Sequence, residues 1–251
     1  MNNEALKELL YKMADDQLIL GHRNSEWIGL GPLLEEDIAF ASMAQDKVGQ
    51  SLAMYNLLQE LGEQEPDIVA FTRPATQFHN SQFVELPIGE YDFSLIRHFL
   101  FDTADYYRFE MLITSSYEPL RLLARKLKGE CRYHIMHADS WIKKLGNGNE
   151  ESISRLQKAL DYSIPFGLGI FEESKYENEL ISENIFKGEI ELRERWIEHI
   201  DTVLSKTQLV LPDLAKESPH FGGRYGEHTE HLQPLLDEMG EVINSDPTAQ
   251  W

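Results

Sequence analysis

The sequence predicts an all-α fold: a four-helix bundle with a long crossover between its second and third helices, and further helices after it. Apolar residues recur at helical spacing along most of the chain, and no segment alternates with period two for long enough to form a sheet. Residues 63 to 91, with Pro66, Pro74, Pro87 and Gly89, separate the second long helical pattern from the third. With 251 residues of which 42% are apolar, the chain reads as one domain over 1–251. Its core bundle spans about 3–145, and additional helices and a tail fill 150–251.

Asn3 caps the first expected helix, whose apolar positions Leu6, Leu9, Leu10, Met13 and Ile19 lead on to Trp27 and Ile28 before Gly29–Pro32 interrupts. The second runs from about Leu34 to Leu61. One of its stripes is Ile38, Ala41, Ala44, Val48, Leu52, Tyr55 and Leu58, and a neighbouring one is Met43, Lys47, Gln50, Met54 and Leu57. Gly62 stops it, and the aromatic-rich crossover lets the third helix, about 92–114, run parallel to the second. In that third helix Asp102 interrupts an apolar face of Leu95, Phe99, Tyr106, Phe109 and Ile113.

The fourth helix starts at Glu118-Pro119 and extends to Leu145, with His134 on the stripe of Leu120, Leu127, Cys131 and Ala138. Amphipathic helices follow at 150–163 and about 187–205, separated by a bend at Pro165–Gly169 and a short helix within 171–182. A Gly-rich loop, Phe221–Gly226, leads into a last helix near 227–243 and a frayed tail ending at Trp251.

Composition excludes some functions. The 43 Asp and Glu against 23 Lys and Arg give a net charge of −20, which repels phosphate backbones and anionic lipid surfaces, so nucleic-acid and membrane partners are not expected. The single Cys131 permits no intrachain disulfide. No basic leader precedes an apolar block and no window reaches the roughly 18 apolar residues of a membrane span, so the expected location is cytoplasmic.

The polar intrusions carry the chemistry. A carboxylate bundle holds two irons with a Glu from each of two helices and a Glu-x-x-His from each of two others, because i, i+3 spacing turns both side chains inward. The corresponding positions here are Glu26, then Lys47 and Gln50, then Asp102, then His134 and His137. An ammonium has no lone pair and puts positive charge where a cation would sit, so Lys47 argues against a di-iron pair. The expected alternative is a structural network in which Lys47 balances Glu26 and Asp102 while Gln50 and the histidines complete the hydrogen bonds. A competing reading is a stand-alone metal oxidase or hydroxylase, with one divalent ion held by Glu26, Asp102, His134 and His137.

Weaker clusters read as structural. His228-Thr229-Glu230-His231 and the row Glu189, Glu191, Glu194, Glu198 are expected on solvated helix faces. Gly222–Gly226 lacks the Lys-Ser/Thr of a phosphate loop and reads as a bend, and Cys131 as a small apolar group. Such a bundle, with its long second crossover, is ferritin-like in pattern.

Four segments carry a family resemblance: Gly21-His22-Arg23-Asn24-Ser25-Glu26-Trp27, Met43–Gln50, Arg132–Trp141 and Phe221–Glu230. Together they resemble the PaaC subunits of bacterial phenylacetyl-CoA epoxidases over nearly the whole chain. The resemblance implies a non-catalytic structural subunit of a multicomponent oxygenase in phenylacetate catabolism, paired with a related catalytic subunit, PaaA. It implies no cofactor in this chain. Di-iron and acyl-CoA belong to the catalytic partner, and NADPH, flavin and iron–sulfur to a reductase partner. It also implies that Glu26 and Asp102 stand at ligand positions of the catalytic relative, Lys47 at its Glu, Gln50 at its His and His134 at another Glu, while His137 keeps a His. A homodimer of this chain alone is a further expectation, one that would bury exposed apolar stripes.

Overall fold

The computed structural model describes residues 2–246, which form ten α-helices and two short 3-10 turns without a strand. The tail ending at Trp251 lies outside the described residues. Helix α1 (Asn3–Ser25) is capped by Asn2 rather than Asn3: the Asn2 side chain accepts from the backbone N–H of Glu4 and Ala5. Helix α2 spans Leu34–Glu60, and within the crossover lie the short α3 (Pro66–Phe71) and α4 (Gln82–Glu85). Then come α5 (Tyr91–Leu112) and α6 (Glu118–Leu145), followed by α7 (Glu150–Gly169), α8 (Glu177–Ser182), α9 (Glu189–Leu204) and α10 (Leu232–Ser245). No helix among the described residues is long and apolar enough to cross a membrane.

Side-chain pairings give the helix directions. Tyr55 reaches Asp15 and Lys47 reaches Gln17, so α1 and α2 are antiparallel. Glu110 meets Lys128 and Asp102 meets His134, so α5 and α6 are antiparallel as well. Glu36 pairs with Tyr91 and Lys47 with Asp102, so α2 and α5 run parallel. The crossover makes that possible, and it is packed rather than loose: Phe78 and Phe83 are fully buried. Behind α5 stand α7 and α9, with Trp196 buried and donating to the Leu100 carbonyl at 2.7 Å.

Several expectations change. The stripe Ile38, Val48 and Leu52 of α2 is exposed, and the inward face is that of Met43, Lys47, Gln50 and Met54. Pro165 does not end α7, which continues to Gly169 with Leu156, Leu160 and Ile164 already buried along its earlier turns. His228 is not on a solvated helix, since α10 begins only at Leu232; it is buried in a loop. Glu189 is likewise buried, on Lys12 at 2.6 Å and on Arg108.

The glycine-rich segment locks the crossover down. Arg224, 3% exposed, places Nη1 2.8 Å from Asp16 and donates to the carbonyls of His79 and Ile170. Glu172 accepts from the backbone N–H of Gly222 and Arg224. A Cβ on Gly223 would lie 2.3 Å from the Asn80 carbonyl oxygen, and Gly226 sits at φ +81° with its Cβ site 2.5 Å from that of Thr76. Glu85, fully buried, accepts from Asn80, the Thr229 backbone and the Thr229 hydroxyl, and lies 2.7 Å from His228 Nδ1. These pairs staple residues 221–231 over residues 76–86.

Candidate functional site

At the centre of the four long helices lies Asp102, fully buried on α5. Lys47 Nζ, also fully buried, approaches its Oδ1 at 2.8 Å, and His134 Nδ1 approaches the same oxygen at 3.0 Å. Its other oxygen, Oδ2, takes His98 Nδ1 at 2.6 Å. The His98–Asp102 spacing of one helical turn aligns those two groups. The cluster continues inward to Asp105, 3.5 Å from Lys47 Nζ, and to Gln17, whose Oε1 accepts from Lys47 at 3.2 Å and whose amide donates to Asp105.

Two chains of contacts run outward. His134 Nε2 lies 3.1 Å from Asp46, whose side chain is 36% exposed, so one path reaches solvent. His98 Nε2 lies 3.2 Å from His137 Nδ1, and His137 Nε2 lies 3.2 Å from Glu36, which also accepts from Tyr91 at 2.6 Å. Phe40 and Phe101 wall the cluster, Lys47 standing 5.0 Å from the Phe101 ring centre.

Burial works against every charge here, and the partners decide the outcome. Burial alone would discharge Lys47, but Asp102 and Asp105 outweigh it and raise its pKa. Burial also opposes the Asp102 carboxylate, and Lys47 with the two histidines holds it well below the usual carboxylate range. His134 is raised despite burial, through its hydrogen bonds to Asp102 and Asp46, whereas burial prevails at His98 and lowers it. Asp105 is pushed up to about 6, because burial outweighs the more distant Lys47. Burial also pushes the Cys131 thiol well above its ordinary value.

The structure thus brings Lys47, Asp102, His134 and, through His98, His137 together. It does not bring Glu26 or Gln50 into the set. Glu26 lies past the end of α1 with its side chain 31% exposed, held by Arg23 at 2.7 Å. The counter-charge assigned to Glu26 comes from Asp105 instead, because the Lys47 side chain runs past Gly21 and its ammonium meets α1 at Gln17, on the side away from Glu26. Gln50 turns to α6, donating to Glu130 at 3.0 Å. Sequence reasoning missed His98, Asp105, Gln17, Asp46 and Glu36. His98-x-x-x-Asp102 was a readable helical pair; the other four had no local signal.

These residues do not fit a di-iron centre. An ammonium nitrogen, which has no lone pair, sits on Asp102 Oδ1, and both Asp102 oxygens are already taken by Lys47, His134 and His98. The arrangement can store and conduct protons between buried bases and hold four helices in register.

Fold and centre together define an all-helical bundle protein with a buried ion pair and histidine cluster among its four long helices. The chain belongs to the family described as phenylacetic acid catabolic protein, which it matches over residues 1–251. It is 32% identical, over 241 residues and 96% of both chains, to the C subunit of the 1,2-phenylacetyl-CoA epoxidase of Escherichia coli (strain K12).

Proposed function

We propose that this chain is the non-catalytic subunit of a multicomponent phenylacetyl-CoA epoxidase of phenylacetate catabolism, built as one ferritin-like domain. The observation that carries the reading is Lys47 on Asp102: a salt bridge at 2.8 Å occupies the level where a working relative would hold metal. The likeness to a protein named as the C subunit of that epoxidase supports it, since one subunit implies others. In this reading the catalytic partner supplies iron and binds the acyl-CoA, a reductase supplies electrons, and this chain fixes the geometry of the catalytic helices by packing against them.

The test is reconstitution. The catalytic subunit should be poorly soluble, under-loaded with iron or inactive when produced alone, and recover when this chain is co-produced. A partner that is soluble, fully iron-loaded and fully active by itself would sink the proposal. The mononuclear-metal alternative is disfavoured by the Arg23–Glu26 pair, which removes one of its four ligands. Occupancy below about a tenth of an equivalent after iron or manganese supplementation removes it, because a functional site must be filled.

A further inference from the structure

The start of α9 carries a charge pair that does not close. Arg193 follows Glu189 by four residues, the spacing at which an acid and a base on one helix face pair, and no other acid stands three or four residues from it. Arg195, two residues on, does pair with its own i−4 acid, Glu191, at 2.6 Å. Glu189 turns the other way: its Oε1 takes Lys12 at 2.6 Å and Arg108. Glu189 Oε2 and Arg193 Nε are both left buried, with no hydrogen-bond partner among the described residues. An acceptor and a donor one helical turn apart each carry the desolvation penalty of an unmet buried polar group.

Both residues line a cavity of about 380 Å³, within the size range of small-molecule sites. Leu168 and Phe171, both buried, close its inner end, and Phe221 and Tyr225, 50% and 54% exposed, wall its mouth. Its charges argue against an ionic ligand. Three lining groups are acids: Glu189, Glu172, whose oxygens accept from the Gly222 and Arg224 backbone, and the exposed Glu173. An anion would meet these three, and a cation would meet Arg193, with Lys12 and Arg108 on the far oxygen of Glu189. Arg108 Nη2 and Arg224 Nε also lack partners, but neither residue lines the cavity. Burial opposes the Glu189 carboxylate, yet Arg108 and Lys12 outweigh it and lower its pKa to about 2, so Glu189 only accepts while the Arg193 guanidinium only donates. A neutral hydroxyl meets both at once, since it accepts one hydrogen bond and donates another.

We infer that this cavity binds a neutral hydroxyl-bearing aromatic molecule of the phenol class, its hydroxyl inserted between Arg193 and Glu189 and its ring set against Phe171, Phe221 and Tyr225. A ring is the body that suits such walls, because aromatic groups pack on one another edge-to-face or offset. The site shares no residue with the Lys47–Asp102 cluster and does not depend on the proposed function.

The experiment titrates the full chain at neutral pH with phenol and with fluorobenzene, whose fluorine has the size of a hydroxyl but donates no hydrogen bond, and follows the ligand signals by saturation-transfer NMR. Phenol should bind with a Kd on the order of 1 mM, the scale for a ligand of so few atoms, and fluorobenzene roughly tenfold more weakly. Arg193→Met keeps the apolar stem and removes the donor; it should weaken phenol roughly tenfold and leave fluorobenzene unchanged, a shift in selectivity that lost packing would not produce. Phe221→Ala should weaken both ligands together. Lys158→Met, at a separate surface cavity, should change neither. Circular dichroism checks folding; if Arg193→Met does not fold, the wild-type preference for phenol and the Phe221→Ala result decide. Absence of phenol binding below about 10 mM would mean that a water alone bridges the two groups, and overturns the inference. Equal affinity for phenol and fluorobenzene, a preference that survives Arg193→Met, unchanged binding in Phe221→Ala, or a loss in Lys158→Met overturns it as well.

Discussion

Lys47 and Asp102 face each other across the bundle at 2.8 Å, each fully buried, on two parallel helices joined by the long crossover. Their attraction is opposed by the desolvation of both, so the pair's net worth is small, but each partner without the other is expensive. Lys47→Met should therefore destabilise by about 3–5 kcal/mol. Lys47→Met with Asp102→Leu should recover a large part of that. Urea unfolding of the two variants checks this; equal losses in both would show that packing, not uncompensated charge, sets the cost.

The same centre predicts a pH dependence. Asp105 has a folded pKa raised to about 6, so the folded state binds the extra proton and this group's contribution is fully present below the unfolded value near 4. It is lost as pH rises through about 6, for a total on the order of 3 kcal/mol. Asp105→Asn removes the titrating group, so the stability difference, variant minus wild type, should rise between pH 4 and pH 7. Denaturant midpoints across that range measure it, and a flat difference would count against the assignment.

His134 gives a contribution of the opposite residue type and the same sign. Its folded pKa is raised by Asp102 and Asp46, so its stabilisation is complete below the unfolded value near 6.5 and fades as pH rises through the folded one. NMR titration should find His134 still protonated at pH 6.5, with His98 already neutral. The reverse order would mean that Asp102 directs its charge chiefly at His98.

Restoring a Glu-x-x-His by Lys47→Glu with Gln50→His should not restore a di-iron centre. Glu26 remains on Arg23 beyond the level of the cluster, and position 50 faces Glu130. Iron analysis and near-ultraviolet absorption after loading should give well under one equivalent. A stoichiometric pair of irons would show that the ligand shell rearranges more freely than these contacts indicate.

The glycines separate by sign. Gly226→Ala forces a Cβ onto the Thr76 carbonyl at a left-handed position and should destabilise by about 1–3 kcal/mol. Gly49→Ala, in the interior of α2 with nothing within 4 Å of its Cβ site, should stabilise by up to about 1 kcal/mol. Thermal unfolding of the two variants suffices. A stabilised Gly226→Ala would mean that the 221–231 segment does not clamp the crossover.

Periodicity located the long helices, though not the short α3 and α4 within the crossover. Pro119 at a helix start and Gly62 at a helix end marked boundaries within a residue or two, because capping chemistry is local. It also made Lys47, Asp102 and His134 stand out, since a charge on an apolar stripe is visible without knowing its neighbour. It placed Lys47 on Asp102 but failed at other partners from far along the chain. His228 and Glu189 sit in acidic, helix-like stretches and looked solvated, yet Glu85 and Lys12 bury them.

The two faces of α2 illustrate the rest. Both stripes are apolar in the sequence, and nothing local says which turns inward. The order of packing decided it: α1 and α6 on either side of Lys47 left Ile38, Val48 and Leu52 outside. Sequence by itself determined the long helices and most of their ends, set by neighbours within a turn or two. Only the tertiary structure decided that Asp105 rather than Glu26 faces Lys47, because that choice depends on how far one helix slides along another before its side chains close-pack.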